Sequence, residues 1–232
     1  MELTTTSAAL EPDPRDRKQF YFHATPLRKT IVAILRVAFH LVMDMRVEGL
    51  ENFPLDGSVI VASNHVTNFD VFPMQLALPR PIFYMGKANL FRNPVTDVLF
   101  RNLGAFPVNR EKKDPWAYNH ALKILARRQT LGMFPEGTRS KGRGLSVART
   151  GVARMAIEAD TPIIPMAVVG SDNFFKRFPR RARVTVNLLP PILPKPGETP
   201  LALTDRLMFT LAAALPLEMR GVYAELPKGF EK

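Results

Sequence analysis

No cysteine occurs among the 232 residues, which excludes a disulfide framework, a thiolate nucleophile and a cysteine-zinc site. A cytosolic setting fits that lack. Long apolar runs are missing too: spanning a bilayer takes about 18 or more uninterrupted apolar residues, and charge breaks every run here well before that. The first residues carry Pro12, Pro14 and alternating charges, with no apolar stretch leading to a small-residue cleavage site. Residues 1–19 therefore read as a disordered tail, with order beginning near Phe20. No Gly-x-Ser-x-Gly elbow is present, and Ser140 lacks the first glycine, so a serine nucleophile is not expected. Gly142-Arg143-Gly144 is too short for a dinucleotide fingerprint, and no Gly-Lys-Ser or Gly-Lys-Thr phosphate loop occurs. Internal repeats are absent, and nothing marks a second domain within residues 46–232.

What is present is the make-up of one folded domain, 46% hydrophobic and 23% charged. A net charge of +11 and a sequence pI near 10.3 predict attraction to phosphates, whether in anionic lipid headgroups, nucleic acid or a phosphorylated substrate. Basic residues cluster from Arg139 to Arg149 and in Lys176-Arg177-Phe178-Pro179-Arg180-Arg181-Ala182-Arg183. Either a membrane-facing surface or a solvated loop accounts for the second cluster.

From Leu27 to Met43 the pattern is helical, and at about 100° per residue Arg28, Lys29, Arg36, His40 and the following Asp44 gather on one side, leaving a broad apolar face. With Phe20, Tyr21 and Phe22 just before it, residues 20–45 read as an amphipathic segment lying on an anionic membrane; a helix packed on the core is the competing reading. Beyond it, short apolar runs alternate with helical patterns, which predicts an α/β domain with a mixed, largely parallel sheet flanked by helices. Strands are expected at Val59 to Ala62, Ile82 to Met85, Leu131 to Phe134, Ile163 to Val169 and Arg183 to Leu189. Helices are expected at Trp116 to Arg128, Thr150 to Ala159 and Thr204 to Leu215.

His65 follows the first of these strands, at a sheet edge where open α/β folds collect functional groups. Asp70 is five residues on, about 140° away on an ideal helix, so the two meet only if Val66-Thr67-Asn68 turns the chain back. Asp70 would then hold one ring nitrogen and leave the other as a base for a hydroxyl. His23, His40 and His120 lack such a partner. Phe134-Pro135-Glu136-Gly137-Thr138-Arg139 turns at Gly137, so its amides and Arg139 could surround an oxyanion or phosphate. Glu136 could steady that guanidinium or bind an acceptor hydroxyl; a plain surface turn also fits.

These segments resemble the glycerolipid acyltransferases of the 1-acylglycerol-3-phosphate (lysophosphatidic acid) acyltransferase type. The resemblance runs through Asn64 to Asp70, Gly104-Ala105-Phe106-Pro107-Val108-Asn109-Arg110, Phe134 to Ser140, and Thr161-Pro162-Ile163-Ile164-Pro165-Met166-Ala167, preceded by Val47 to Pro54. It implies that His65 deprotonates the sn-2 hydroxyl of 1-acylglycerol 3-phosphate, or the free hydroxyl of another lysolipid acceptor, which attacks the thioester of acyl-CoA or an acyl-carrier protein, giving phosphatidic acid in the first case, while Asp70 orients His65. It also implies that Arg110, Glu136, Gly137, Thr138 and Arg139 bind the acceptor, with Arg139 on its phosphate, and that Pro165 shapes the pocket. Lys87 is a further phosphate candidate. No metal or organic cofactor is implied, no nucleic-acid partner is expected, and the resemblance places the chain at the cytoplasmic face of the membrane as a peripheral or monotopic protein. Asn89 and Asn109 depart from the family pattern and leave the acceptor headgroup open. A rival of another class, a non-catalytic basic protein docking on membranes, accounts for the charge but not for His65, Asp70 and the Glu136-to-Arg139 turn.

Overall fold

Four of the six α-helices among the described residues start the same way, with a polar cap followed by proline at the first helical position. In α1 (Pro26–Val42), α3 (Pro94–Asn102), α4 (Pro115–Ala126) and α6 (Pro200–Ala213), the side chains of Thr25, Asn93, Asp114 and Thr199 accept from first-turn amides. Proline has no N–H to leave orphaned there, and its φ is already helical. The computed structural model describes residues 13–174, 180–225 and 227–228.

The strands are β1 (Met43–Glu48), β2 (Val59–Ser63), β3 (Ile82–Lys87), β4 (Ala105–Val108), β5 (Thr130–Met133), β6 (Ile163–Val169) and β7 (Ala182–Leu188). They form one sheet in the order β1-β7-β6-β2-β5-β3-β4. β6, β2, β5, β3 and β4 run parallel, whereas β7 runs antiparallel to β6 and carries β1 parallel to itself. The fold is thus the expected mixed, mostly parallel α/β sheet. All five residues of β2 are buried, as befits a central parallel strand covered on both faces. On one face Ile60, Leu131 and Ile163 pack beneath Ala121 and Ile124 of α4, Val152 of α5 (Gly151–Glu158) and Leu207 of α6. On the other, Val59, Val61 and Ile164 meet Phe39 of α1 and Met74 of α2 (Val71–Ala77).

Several expectations need correction. Residues 13–19, assigned to the tail, are held on the domain: Arg15 donates through Nη1 and Nη2 to both oxygens of Asp114, Trp116 Nε1 donates to Asp16, and Lys18 pairs with Asp97. Residues 1–12 lie outside the described residues. The boundary expected at residue 46 falls inside β1, which is hydrogen-bonded into the sheet. Phe20 and Phe22 pack on His120 rather than facing outward.

Within α1, Arg28 leaves the basic side and is only 2% exposed. Its Nη2 donates to Gln75 Oε1 at 2.8 Å and to the Ile82 carbonyl at 2.6 Å, its guanidinium stands 4.9 Å from the centroid of Phe83, and Nη1 has no partner among the described residues. No carboxylate among the described residues compensates this charge, and burial pushes the guanidinium down to about 10. Gly104, at φ 85°, makes the room, since a Cβ there would run into Nη1 of Arg28 and the Phe83 ring. Meanwhile Ile34, Val37 and Leu41, each more than 60% exposed, form an outward apolar stripe flanked by Lys29, Arg36 and His40. No helix among the described residues is long and apolar enough to cross a membrane.

Candidate active site

The carboxyl ends of the parallel strands gather the polar groups, as the open α/β architecture leads one to expect. β2 ends at Ser63, and the side-chain amide of Asn64 then takes over its hydrogen bonding to β6: Nδ2 donates to the Val168 carbonyl and Oδ1 accepts from the Val168 N–H, both at 2.8 Å. A side chain thus imitates one more residue of ladder and fixes where the chain leaves the sheet. His65 is the next residue.

The chain turns back through Val66 and Thr67, and His65 Nδ1 meets Asp70 Oδ2 at 2.8 Å. Asp70 stands at the start of α2, yet its side chain caps no helical amide. It turns instead toward the loop before it. Oδ2 also accepts from the N–H groups of Val66 and Thr67, at 2.7 and 2.8 Å. Oδ1 accepts from the hydroxyls of Thr67 at 3.2 Å and of Ser171 at 2.6 Å. Asp70 is 1% exposed, and these five donors are its partners among the described residues. The far side of the imidazole ring is packed against Phe134, centroids 3.9 Å apart and nearly parallel. With Nδ1 committed to a carboxylate, Nε2 is the nitrogen left without a partner among the described residues.

The turn Phe134 to Gly137 closes with the Gly137 N–H donating to the Phe134 carbonyl at 3.0 Å, and Gly137 adopts φ 67°. That use removes the Gly137 amide from the anion-binding role expected of it. Glu136 is 3% exposed, and both its oxygens are occupied. Oε1 accepts from the His65 N–H at 2.8 Å, and Oε2 accepts from the N–H and hydroxyl of Ser146 at 2.9 and 3.0 Å. Glu136 therefore ties the histidine loop to the 134–146 segment and neither pairs with Arg139 nor reaches outward. The Ser140 N–H donating to the His65 carbonyl at 2.7 Å adds a second tie.

Above this turn the charge is one-sided. Arg110 follows β4 and reaches across to donate from Nη1 to the Gly137 carbonyl at 3.3 Å. Desolvation, followed by the neighbouring Arg139 and Arg149, lowers its guanidinium from the ordinary arginine value. The Arg149 side chain lies so close to Gly137 that a Cβ there would stand 3.2 Å from Nε. Neither Arg139 nor Arg149 has a carboxylate partner among the described residues. Three guanidiniums drawn together without a counter-charge suit a ligand that brings negative charge. Thr138 is exposed, and its N–H, like that of Arg139, makes no hydrogen bond to described residues. Lys87 ends β3 at the same sheet edge, exposed and without an ion pair among the described residues. Pro165 does not line the site: it is buried in β6 opposite Ala62, three residues before the Val168 that holds Asn64.

Arg149, Asn64, Ser146 and Ser171 were not anticipated as site residues. Ser171 follows β6 at the same carboxyl edge as His65, which is a usable signal; Arg149 lay within the noted basic cluster but outside the motif. Among the described residues no group of three or more His, Asp and Glu could hold a metal ion.

Comparison with known proteins adds independent findings. The family model described as Acyltransferase matches residues 44–169. A 1-acyl-sn-glycerol-3-phosphate acyltransferase of Borreliella burgdorferi is 30% identical over 131 residues, which is 56% of this chain and 52% of that protein. The corresponding protein of Escherichia coli is 34% identical over 143 residues, covering 59% and 57%. The chain thus spans about half the length of these curated relatives. Among solved structures, the 1-acyl-sn-glycerophosphate (LPA) acyltransferase PlsC of Thermotoga maritima superimposes with a TM-score of 0.67 over 87% of this chain and 83% of that one. At 23% identity that likeness speaks to the fold alone.

Proposed function

Since the chain belongs to the Acyltransferase family, we propose that it transfers a fatty acyl group from a thioester to the sn-2 hydroxyl of 1-acylglycerol 3-phosphate, giving phosphatidic acid. The observation that carries this reading is the juxtaposition of a histidine with one nitrogen held by a carboxylate and the other open, next to three uncompensated arginines. The relatives' names give the acceptor.

In this mechanism Nε2 of His65 takes the proton as the acceptor oxygen attacks the thioester carbonyl, and Asp70 stabilises the imidazolium that forms. The C–O bond forms, the C–S bond breaks, and the leaving thiolate receives the proton from His65. No covalent acyl-enzyme is needed. Arg110, Arg139 and Arg149 hold the acceptor phosphate, with Lys87 at the rim, and the N–H groups of Thr138 and Arg139 are available to the developing oxyanion. The donor is acyl-CoA or an acyl-carrier protein. The outward stripe of α1, Ile34, Val37 and Leu41 with Lys29 and Arg36 beside it, lies on an anionic membrane surface at its cytoplasmic face.

Purified protein offered a panel of lysolipids with each donor, with products identified by mass, tests reaction and acceptor together. His65→Ala abolishes transfer while the fold persists, and Arg139→Ala chiefly raises the KM for the acceptor. Full activity in the first variant, or an unchanged KM in the second, contradicts the assignment.

A further inference from the structure

Helix α3 is turned inside out with respect to water. Asp97 is 7% exposed, while Val95 and Val98 are 76% and 48% exposed. Inward, Asp97 takes the ammonium of Lys18 at 2.9 Å and Arg101 at 3.3 Å, and Arg101 also donates to the Gln19 carbonyl at 2.6 Å. The arrangement carries a cost even there, since Asp97 Oδ1 and Arg101 Nε are buried without partners among the described residues. Outward, Leu99 and, in the 3-10 turn Ala88–Phe91 just before, Leu90 extend the apolar surface. A solvent-facing helix does not choose this polarity, and a contiguous apolar patch of this kind marks an interaction surface.

Three observations identify what covers it. First, the polar frame is cationic: Lys87 and Arg92 flank Leu90 as exposed cations, whereas the one acid of α3 is turned inward and neutralised. Second, the patch runs on into α1. Asn102, on the same helical side as Val95, Val98 and Leu99, accepts through Oδ1 from the hydroxyl of Thr25, the N-cap of α1, and half-exposed Leu27 lies just beyond. Third, Lys87 closes β3 at the sheet edge that carries His65.

We propose that the segment 87–102 is a second lipid-contacting surface, distinct in sequence from α1, which seats Leu90, Val95, Val98 and Leu99 in the leaflet and sets Lys87 and Arg92 against its anionic headgroups. The proposal rests on the membrane reading above and adds the element that borders the acceptor end of the site. An acceptor lipid can then approach the arginines along this surface without crossing bulk water.

The absence of native cysteine makes the test direct. Single variants Val95→Cys and Val98→Cys are labelled with an environment-sensitive fluorophore, alongside Val37→Cys on α1 and Leu201→Cys on α6, where Leu201 is 62% exposed on the opposite layer. On vesicles of phosphatidylcholine and phosphatidylglycerol, the labels at 95 and 98 shift to the blue and are quenched by lipid-borne spin labels as at 37, while that at 201 does neither. Two results overturn the proposal: labels at 95 and 98 that stay as wet as that at 201 while 37 inserts, or a blue shift that appears without vesicles and scales with protein concentration, which assigns the patch to a second copy of the chain. The double variant Val95→Asp/Val98→Asp raises the KM for a vesicle-borne lysolipid about tenfold, the equivalent of losing partial burial of two valines, and leaves turnover of a monomeric short-chain acceptor unchanged. Equal loss on both acceptors also overturns it. Because fluorescence needs no turnover, failure of the acyl-transfer reading is told apart from failure of this one.

Discussion

Replacing Asp70 by asparagine separates the charge of that residue from its shape. At the Oδ2 position three N–H groups converge, those of the His65 ring, Val66 and Thr67, and none of them can turn to accept. At the Oδ1 position the partners are the hydroxyls of Thr67 and Ser171, which rotate freely between donating and accepting. Asparagine therefore has one comfortable orientation, oxygen toward the three N–H groups and NH2 toward the hydroxyls. His65 keeps its place and tautomer, and what disappears is the negative charge facing the imidazolium.

At about 4 Å and an effective dielectric of about 20, that charge is worth about 4 kcal/mol, or about three powers of ten in the chemical step. Exchanging charge-assisted for neutral hydrogen bonds costs about 1–2 kcal/mol of stability, a fall in Tm of roughly 3–6 °C. Asp70→Ala, which strands all five donors, costs about 3–5 kcal/mol. Single-turnover release of thiol from an acyl thioester, read with a thiol reagent, measures the first number without background, because the protein has no thiol of its own. A rate within tenfold of wild type refutes the electrostatic role. A Tm that falls as far as in the alanine variant refutes the asparagine geometry.

Other outcomes follow from the same structure. Glu136→Gln must set its NH2 against either the His65 N–H or the Ser146 N–H, so thermal unfolding shows a loss of about 1–3 kcal/mol; an altered acceptor KM at unchanged Tm reveals substrate contact instead. His120, boxed by Phe20, Phe22, Phe106 and Trp116, is pushed down to about 4, chiefly by burial. The unfolded histidine titrates near 6.5, so it takes the proton first: stability is full above about pH 6.5 and falls by at most about 3 kcal/mol as the pH drops toward 4. His120→Phe flattens that acid limb in denaturant titrations at pH 7 and pH 5, and an unchanged slope contradicts the assignment. Gly104→Ala, strained at φ 85° and driven into Arg28, lowers stability by about 2 kcal/mol or more in thermal melts; a wild-type Tm refutes the tight seat.

The strands around Val59, Ile82, Leu131 and Ile163 were legible because buried parallel strands are continuous apolar runs, and β7, antiparallel to β6, because its buried and exposed residues alternate. β1 was not: Met43-Asp44-Met45-Arg46-Val47-Glu48 is a charged edge strand whose start merges with the end of a helical pattern. β4 has four residues including a proline, and α2 seven including another, both too short for a period to show. α3, nine residues long, is shorter than the window over which a helical period stands out. His65 and Asp70 were legible as a pair, since only the intervening turn had to be supplied. The expectation failed for Glu136, whose partners are an amide 71 residues earlier and Ser146, contacts that tertiary structure alone creates. Arg28 was misread for a similar reason: helical angle groups it with the other basic residues, but Gln75, Ile82 and the gap at Gly104 draw it inward.

The seat of Arg28 also orders events in time. Its receptors, Gln75 and the Ile82 carbonyl, lie 47 and 54 residues further along the chain, and the space beside Gly104 opens only once β3 and β4 are paired. The arginine end of α1 can therefore seat only after residues well beyond it have folded. Until β3 and β4 pair, Arg28 is a cation without its seat, so the docking of α1 is a non-local step that waits for the sheet behind it.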